Sequence, residues 1–311
     1  MIANPEGKAW SFAQKVYETL ATESNEFELV PVEIRKFRDG ECKPKITKNV
    51  RRRECYFIHD SNQEPAQWLL ELALINHTLK NSSATQVIDV LPYLKFSRQD
   101  RKDESRVPIS ARVVADITKE YADRVMTLDV HNPAIQGFYE IPFDNLHSFP
   151  TVIDYMQKNC PSLLEDVVVM STDTGGAPRA KSFARKIGAE LVVGYKVREK
   201  AGEVEDLKIL GTVRGKKVLM IDDLIESGGT LSKASSAAKE VGGATHTYAY
   251  CAHGLFTKGI DSVVDVFDRV FISDTVYQPP HSKLETISFA PLFAQAILRT
   301  TQGDSLSELF T

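Results

Sequence analysis

Short apolar runs bounded by polar turns recur along the whole chain, at 27–34, 54–59, 86–91, 124–129, 166–170, 190–195, 217–221, 245–251 and 269–272. Each has the length of a strand. Between several of them, apolar positions recur at helical spacing, over 65–79, 109–120, 150–159, 179–187 and 231–241. Strands alternating with helices predict βαβ units and a parallel sheet. The alternation restarts near Phe149-Pro150, after an irregular stretch rich in Pro, Asp and Asn. Two domains are therefore expected, 1–149 and 150–288. The terminal segment 289–305 opens with an apolar helical pattern and is expected to dock back on the first domain. No low-complexity tract or short-period repeat interrupts the pattern.

Composition changes this picture little but excludes several classes. A chain of 311 residues has room for two domains of ordinary size, each able to bury a core. Apolar and charged contents of 42% and 26% are those of a soluble globular protein. A net charge of −4 argues against a nonspecific nucleic-acid binder. Cys42, Cys55, Cys160 and Cys251 are far apart, with neither metal-site spacing nor a paired framework, as in a reduced, cytoplasmic protein. No apolar run reaches membrane-spanning length and the first residues lack a signal-peptide pattern, so no membrane association is expected.

The candidate chemistry is concentrated at 218–230, Val-Leu-Met-Ile-Asp-Asp-Leu-Ile-Glu-Ser-Gly-Gly-Thr. Apolar residues end in two carboxylates, then a short loop with Gly228 and Gly229 leads into a helical run. Open α/β sheets bind ligands at the carboxyl ends of such strands. Paired glycines turn backbone N–H groups inward, and the helix N-terminus adds positive potential, which suits a phosphate. Asp222 and Asp223 stand where vicinal sugar hydroxyls can donate to them. The segment resembles the phosphoribosyl-binding motif of the type I phosphoribosyltransferase fold, with Glu226-Ser227 where Asp-Thr is usual.

Four further segments belong beside it. Residues 96–112 follow an apolar strand, and their Arg98, Arg101 and Arg106 are fork-shaped donors suited to polyphosphate oxygens. In Thr127-Leu128-Asp129-Val130-His131, a carboxylate and an imidazole two residues apart can face one metal or phosphate. Residues 169–180 repeat the order strand, Asp173, Gly175-Gly176, helix, which suits a pyrophosphate with Mg²⁺. Lys196 and Arg198 open a polar stretch, where two cations can close over a substrate and neutralise phosphate charge.

Taken together these segments resemble the ribose-phosphate pyrophosphokinase family, from about Phe37 to Phe310. The most specific parts are Arg-Gln-Asp-Arg-Lys and Ser-Arg-Val-Pro-Ile-Ser-Ala within 98–111. To these are added Gln136-Gly137-Phe138-Tyr139, Pro142-Phe143-Asp144-Asn145-Leu146 and Phe37-Arg38-Asp39-Gly40-Glu41. The implied fold is α/β, with two type I phosphoribosyltransferase-like domains, each a mainly parallel sheet flanked by helices. The implied reaction is attack of the 1-hydroxyl of ribose 5-phosphate on the β-phosphorus of MgATP, which transfers a diphosphoryl group and releases AMP. By resemblance Lys196 and Arg198 are catalytic, and His131 and Asp173 serve Mg²⁺. Arg98 and Gln99 bind ATP, as do Phe37, Asp39, Gly40 and Glu41 from a neighbouring subunit. Arg198, Asp222, Asp223, Glu226, Ser227, Gly228, Gly229 and Thr230 hold ribose 5-phosphate, and Asp173, Thr174, Gly175 and Gly176 the diphosphate. A borrowed adenine site implies a homo-oligomer, a dimer at least and by resemblance a hexamer. The resemblance gives no nucleic-acid or membrane partner.

Two other readings compete. A phosphoribosyltransferase consuming the diphosphorylated sugar shares 218–230 but does not require segments 37–41 and 98–106. A catalytically silent regulatory paralogue would have lost loop cations or phosphate glycines, and both are present. A P-loop kinase is disfavoured, because no Gly-x-x-x-x-Gly-Lys-Ser/Thr occurs. By resemblance, Arg51, Ser305, Ser307 and Phe310 are candidates for an allosteric phosphate site. The adjoining stretch 81–86 carries no cation, so phosphate activation and allosteric ADP inhibition are expected to be reduced or absent.

Overall fold

The protein is described by a computed structural model over residues 1–197 and 206–310. It divides into two compact units. The first comprises Met1–Ser148, Asp274–Tyr277 and the chain from Ser288 onward; the second comprises Phe149–Ser273 and Gln278–Ile287.

In the first unit the order is β1 (Ile2–Ala3), α1 (Trp10–Glu23), β2 (Val30–Lys36), β3 (Cys42–Ile46), β4 (Glu54–Ile58), α2 (Pro65–Asn81) and β5 (Gln86–Leu91). Helix α3 (Ser110–Lys119), β6 (Arg124–Leu128), a 3₁₀ turn at Pro133–Phe138 and β7 (Phe143–Leu146) complete it. The sheet order is β3-β2-β1-β4-β5-β6-β7, parallel except for the β2–β3 hairpin.

The second unit runs α4 (Phe149–Asn159), α5 (Pro161–Leu164), β8 (Val167–Ser171), α6 (Ala177–Ile187), β9 (Glu190–Val197), β10 (Asp206–Leu210) and β11 (Lys217–Ile225). It continues with α7 (Gly229–Ser236), a π-helical turn at Ala237–Val241, β12 (His246–Gly254), α8 (Asp261–Val264), β13 (Arg269–Ser273) and β14 (Leu284–Ile287). Its sheet order is β10-β9-β8-β11-β12-β13-β14, again parallel except for the first hairpin. Position by position, this is the strand order of the first unit. The shared βα rhythm of the two sequence halves is thus one topology used twice.

Local chemistry accounts for the main elements. In α2, Pro65 occupies the first turn and the Glu64 carboxylate accepts from the N–H groups of Ala66 and Gln67, at 3.0 and 3.1 Å. Helix α6 also starts with a proline and stops at Gly188 with φ +69°, a left-handed cap that glycine adopts without Cβ strain. The central strand β11 reads as a nearly continuous buried run because both neighbours are parallel strands.

The chain returns to the first unit through Asp274, which accepts from Phe289 N at 2.8 Å and Ser288 Oγ at 2.7 Å. Helix α9 (Ala290–Gln302) then packs on α1, where Phe12 and Phe293 meet edge to face at 5.4 Å. Among the described residues no helix is long and apolar enough to cross a membrane.

The sequence pattern misses β1, β3, β7, β10 and β14. All five are short, and β3 alternates Lys with Pro, the composition of an exposed edge strand. The strand expected at 217–221 continues to Ile225, so Asp222 and Asp223 lie within β11 and not after it.

Candidate active site

In the second unit β8 leads through α6 to β9 on one side, whereas β11 lies on the other side of β8. The strand order therefore reverses between β8 and β11, and such a switch point opens a crevice at the carboxyl ends of both strands. Both Gly-Gly loops emerge there: 173–176 after β8 and 226–229 after β11.

Gly228 makes the second loop possible. Its φ is +72°, and a Cβ there would lie 2.1 Å from Val263 Cγ2. Only glycine fits both the conformation and the space. Helix α7 starts immediately afterwards, with Gly229 exposed at its N-terminus, Thr230 and Ser227 half-buried and Glu226 exposed. The backbone N–H groups of this turn and the helix end form a ready anion cradle.

The carboxylates beside it are crowded. Asp223 is buried, and its N–H donates to Asp222 Oδ1 at 2.9 Å. Thr172 Oγ1 reaches Asp222 Oδ2 at 3.4 Å. Burial, followed by the charge of Asp223, pushes the Asp222 carboxyl up to about 7. Asp173 adds a smaller repulsion. Asp173 is exposed, and its Oδ1 accepts from Gly176 N at 2.8 Å, which closes the first loop. A Cβ on Gly176 would lie 2.9 Å from Ser171 Oγ, so a side chain there would force the serine hydroxyl to shift. Thr174 and Gly175 are exposed at the tip of the loop. Lys196 is placed on β9 by its backbone; expectations for its side chain and for Arg198 fall outside the described residues.

In the first unit Arg98 and Gln99 follow β5, and His131 follows the neighbouring β6, so their loops share one sheet edge. All three residues are exposed. Gln99 is fixed by its carbonyl, which accepts from Ala111 N at 3.1 Å, and by its side chain, which accepts from Ser110. Asn132 donates to Asp100, tying the two loops together. Asp129 is buried with φ +39° and accepts from Ser148 N and Oγ, which anchors the turn before His131. His131 belongs to the first unit and Asp173 to the second.

Phe37, Asp39, Gly40 and Glu41 form the exposed tip of the β2–β3 hairpin. Phe37 N donates to the Glu41 carbonyl at 2.8 Å, Gly40 has φ +95°, and Phe37 is 55% exposed. A bare phenyl ring beside two carboxylates at such a tip is suited to contact outside its own sheet.

Arg51 lines a cavity of about 450 Å³ in the first unit, with Arg35, Lys43, Lys45, Lys48 and Ser82. Arg35 pairs with Glu33 and Lys48 with Glu28. Lys43, Lys45 and Arg51 add positive charge to the same walls. Sequence reasoning missed these lysines, although their alternation on β3 marks them as one face of a strand. The lining does not include Ser305, Ser307 or Phe310. Ser305 Oγ instead pairs with Ser307 Oγ at 2.7 Å, and Phe310 meets His147 edge to face at 5.0 Å. Within one chain these tail residues therefore do not line the cavity that holds Arg51.

Two sheets of this topology, with a glycine anion cradle and paired carboxylates at the switch point of the second, define a protein of the type I phosphoribosyltransferase fold. Residues 7–121 match the N-terminal domain of ribose phosphate pyrophosphokinase and residues 144–278 the phosphoribosyl transferase domain. The ribose-phosphate pyrophosphokinase of Chlorobaculum tepidum is 38% identical, over 99% of this chain and 93% of that protein. That of Caldanaerobacter subterraneus is 39% identical over 91% and 90%. The crystal structure of phosphoribosylpyrophosphate synthetase from Mycobacterium smegmatis matches with a TM-score of 0.85 at 27% identity, covering 97% of this chain and 99% of that one. The chain belongs to the ribose-phosphate pyrophosphokinase family.

Proposed function

We propose that the chain binds ribose 5-phosphate at the switch point of its second unit and transfers to it the diphosphoryl group of MgATP, giving phosphoribosyl pyrophosphate and AMP. The observation that carries this reading is the family match across both units, joined to the Gly228 cradle beside Asp222 and Asp223. Residues 226–230 hold the 5-phosphate, and Asp222 and Asp223 accept from the ribose hydroxyls. The 173–176 loop receives the diphosphate through its backbone N–H groups. Arg98 and Gln99 hold ATP, and Lys196 and Arg198 neutralise the transferring group. Transfer of this kind depends on positioning and charge neutralisation more than on covalent help.

Mg²⁺ fits these residues. Burial, and after it the charges of Asp223 and Asp173, raise the Asp222 carboxyl, and a cation beside these carboxylates relieves the repulsive part. Among the described residues no three His, Cys, Asp or Glu side chains could hold a metal by themselves. At phosphate-transfer sites Mg²⁺ is usually held by one or two protein groups plus substrate phosphates. Asp173 is the protein group proposed for it in the second unit. Bound there, Mg²⁺ would neutralise phosphate charge.

The exposed Phe37–Glu41 tip is proposed to complete the adenine site of a second copy, in a dimer at least and by resemblance a hexamer. A cytoplasmic location is proposed from the wide spacing of the four cysteines along the sequence. Asp222→Asn tests the sugar assignment. A charge-assisted hydrogen bond is worth roughly 1.5–3 kcal/mol, so the apparent constant for ribose 5-phosphate should rise with little change for ATP. Equal weakening of both substrates would reject the assignment.

A further inference from the structure

A buried polar pair lies in the core of the first unit, between α2 and β5, the strand that Arg98 and Gln99 follow. Asp89 sits in the middle of β5, between Phe57 of β4 and Val125 of β6, and its side chain is fully buried. Asn76 of α2, 1% exposed, donates from Nδ2 to Asp89 Oδ2 at 2.8 Å. The second oxygen of Asp89, Oδ1, and the single side-chain oxygen of Asn76, Oδ1, are both buried without a hydrogen-bond partner.

Donor counting makes this informative. A carboxamide has one donor end and one acceptor end, whereas an ionised carboxylate has acceptors only. With Asp89 ionised, two buried acceptors are left unmatched and a charge sits in the core without a cation, each a substantial cost. A neutral carboxylic acid adds one O–H donor. It lets a planar acid and a planar amide join through two hydrogen bonds, N–H to Oδ2 one way and O–H to Asn76 Oδ1 the other.

The surroundings favour the neutral acid. On α2 the one Lys or Arg is Lys80, whose Nζ is held by both oxygens of Asp123, at 2.5 and 2.6 Å. From the start of β6, Asp123 itself repels charge on Asp89. The Tyr139 hydroxyl, beside Thr118 of α3, is neutral, and so is Thr127 Oγ1 on β6, which has no hydrogen-bond partner. On α3 the Thr118 hydroxyl donates to Val114 O at 2.8 Å. On β4 the neighbour is Phe57.

We propose that Asp89 is a carboxylic acid in the folded protein and closes a two-hydrogen-bond ring with the Asn76 carboxamide, a pH-sensitive lock between α2 and β5. Burial, the first cause, raises the carboxyl well above its ordinary value, in the same sense. Ionisation at alkaline pH breaks the ring and loosens the helix behind the nucleotide loops. Asp89→Asn replaces the acid by an amide of the same shape that keeps both bonds and cannot ionise.

The test uses the full chain and does not depend on its activity. Infrared spectra of the parent at about pH 8.5, where carboxyls of ordinary pKa are ionised, should show the carbonyl band of a protonated carboxyl. That band should be absent in Asp89→Asn. Denaturant unfolding supplies a second readout. Relative to Asp89→Asn, the folding equilibrium constant of the parent should fall up to tenfold per pH unit as pH rises above the ordinary carboxylate range. Absence of the band from the parent at pH 8.5 would overturn the proposal, whether or not the variant folds. A stability difference between the two proteins that does not change with pH would also overturn it.

Discussion

Val263 lies so close under Gly228 that a Cβ on the glycine would fall 2.1 Å from its Cγ2 methyl. The contact joins α8 to the turn that forms the anion cradle, and the turn is also held at φ +72°. Two penalties therefore fall on any side chain at 228. The left-handed conformation costs roughly 1–2 kcal/mol and overpacking typically about 1–3 kcal/mol. Gly228→Ala should raise the apparent constant for ribose 5-phosphate at least tenfold while the protein stays folded. Adding Val263→Ala should recover part of the loss, because it relieves the clash but not the φ strain. Steady-state kinetics of the three proteins decide it: full recovery would mean that the conformation carries no cost.

Acid should weaken the first unit through His59. The ring is buried, stacked on Trp68, and its Nε2–H donates to the Trp68 carbonyl at 2.8 Å. Burial lowers its pKa from 6.5 to about 4. The folded state thus binds the proton more weakly than the unfolded state, so stability is complete above 6.5 and declines as pH falls toward 4. The loss is on the order of 3 kcal/mol at about 1.4 kcal/mol per pH unit. Denaturant midpoints between pH 7 and 4 should fall more steeply for the parent than for His59→Gln. Parallel profiles would show that the ring takes up its proton in the folded state as readily as in the unfolded one, which would contradict this reading.

Lys196→Ala should lower turnover on the order of 10²–10³-fold, the usual effect of removing one electrostatic donor to a transition state. Ribose 5-phosphate binding, measured by calorimetry without ATP, should stay within a few-fold of the parent. A variant with near-parental turnover would mean that another cation serves the transferring group.

Phosphate should bind the cavity lined by Arg51. Weak regulation was expected from the lack of any cation in 81–86. In the structure Ser82 instead shares its cavity with Arg51, Lys43, Lys45 and Lys48, so the positive charge comes from the β2–β3 side. A phosphate titration in a non-phosphate buffer should give a saturable change in rate, lost in Arg51→Ala/Lys45→Ala. A flat titration of the parent would restore the original expectation.

Much of the fold was legible because central parallel strands are buried on both faces and read as apolar runs, as β8 and β11 do. Edge elements were not. Strand β3 reads Cys-Lys-Pro-Lys-Ile, with polar residues outward, and β14 has only four residues. The turn after β11 was legible down to Gly228, since positive φ leaves glycine as its signature. Its supports were not, because Val263 and Thr172 become relevant only when α8 and β8 pack beside β11. The lysines of the Arg51 cavity were missed for the same reason. They are distant in sequence from Ser82 and meet it through the packing of α2 on β3.

The central claim is tested most directly by following adenine nucleotide in a mixture of the purified protein, ATP, Mg²⁺ and ribose 5-phosphate. AMP should appear in equal amount with phosphoribosyl pyrophosphate, only when the sugar phosphate is present, and omission of Mg²⁺ should abolish both. Release of ADP in place of AMP would contradict the account. So would a protein that makes no AMP but consumes phosphoribosyl pyrophosphate when a nucleobase is supplied.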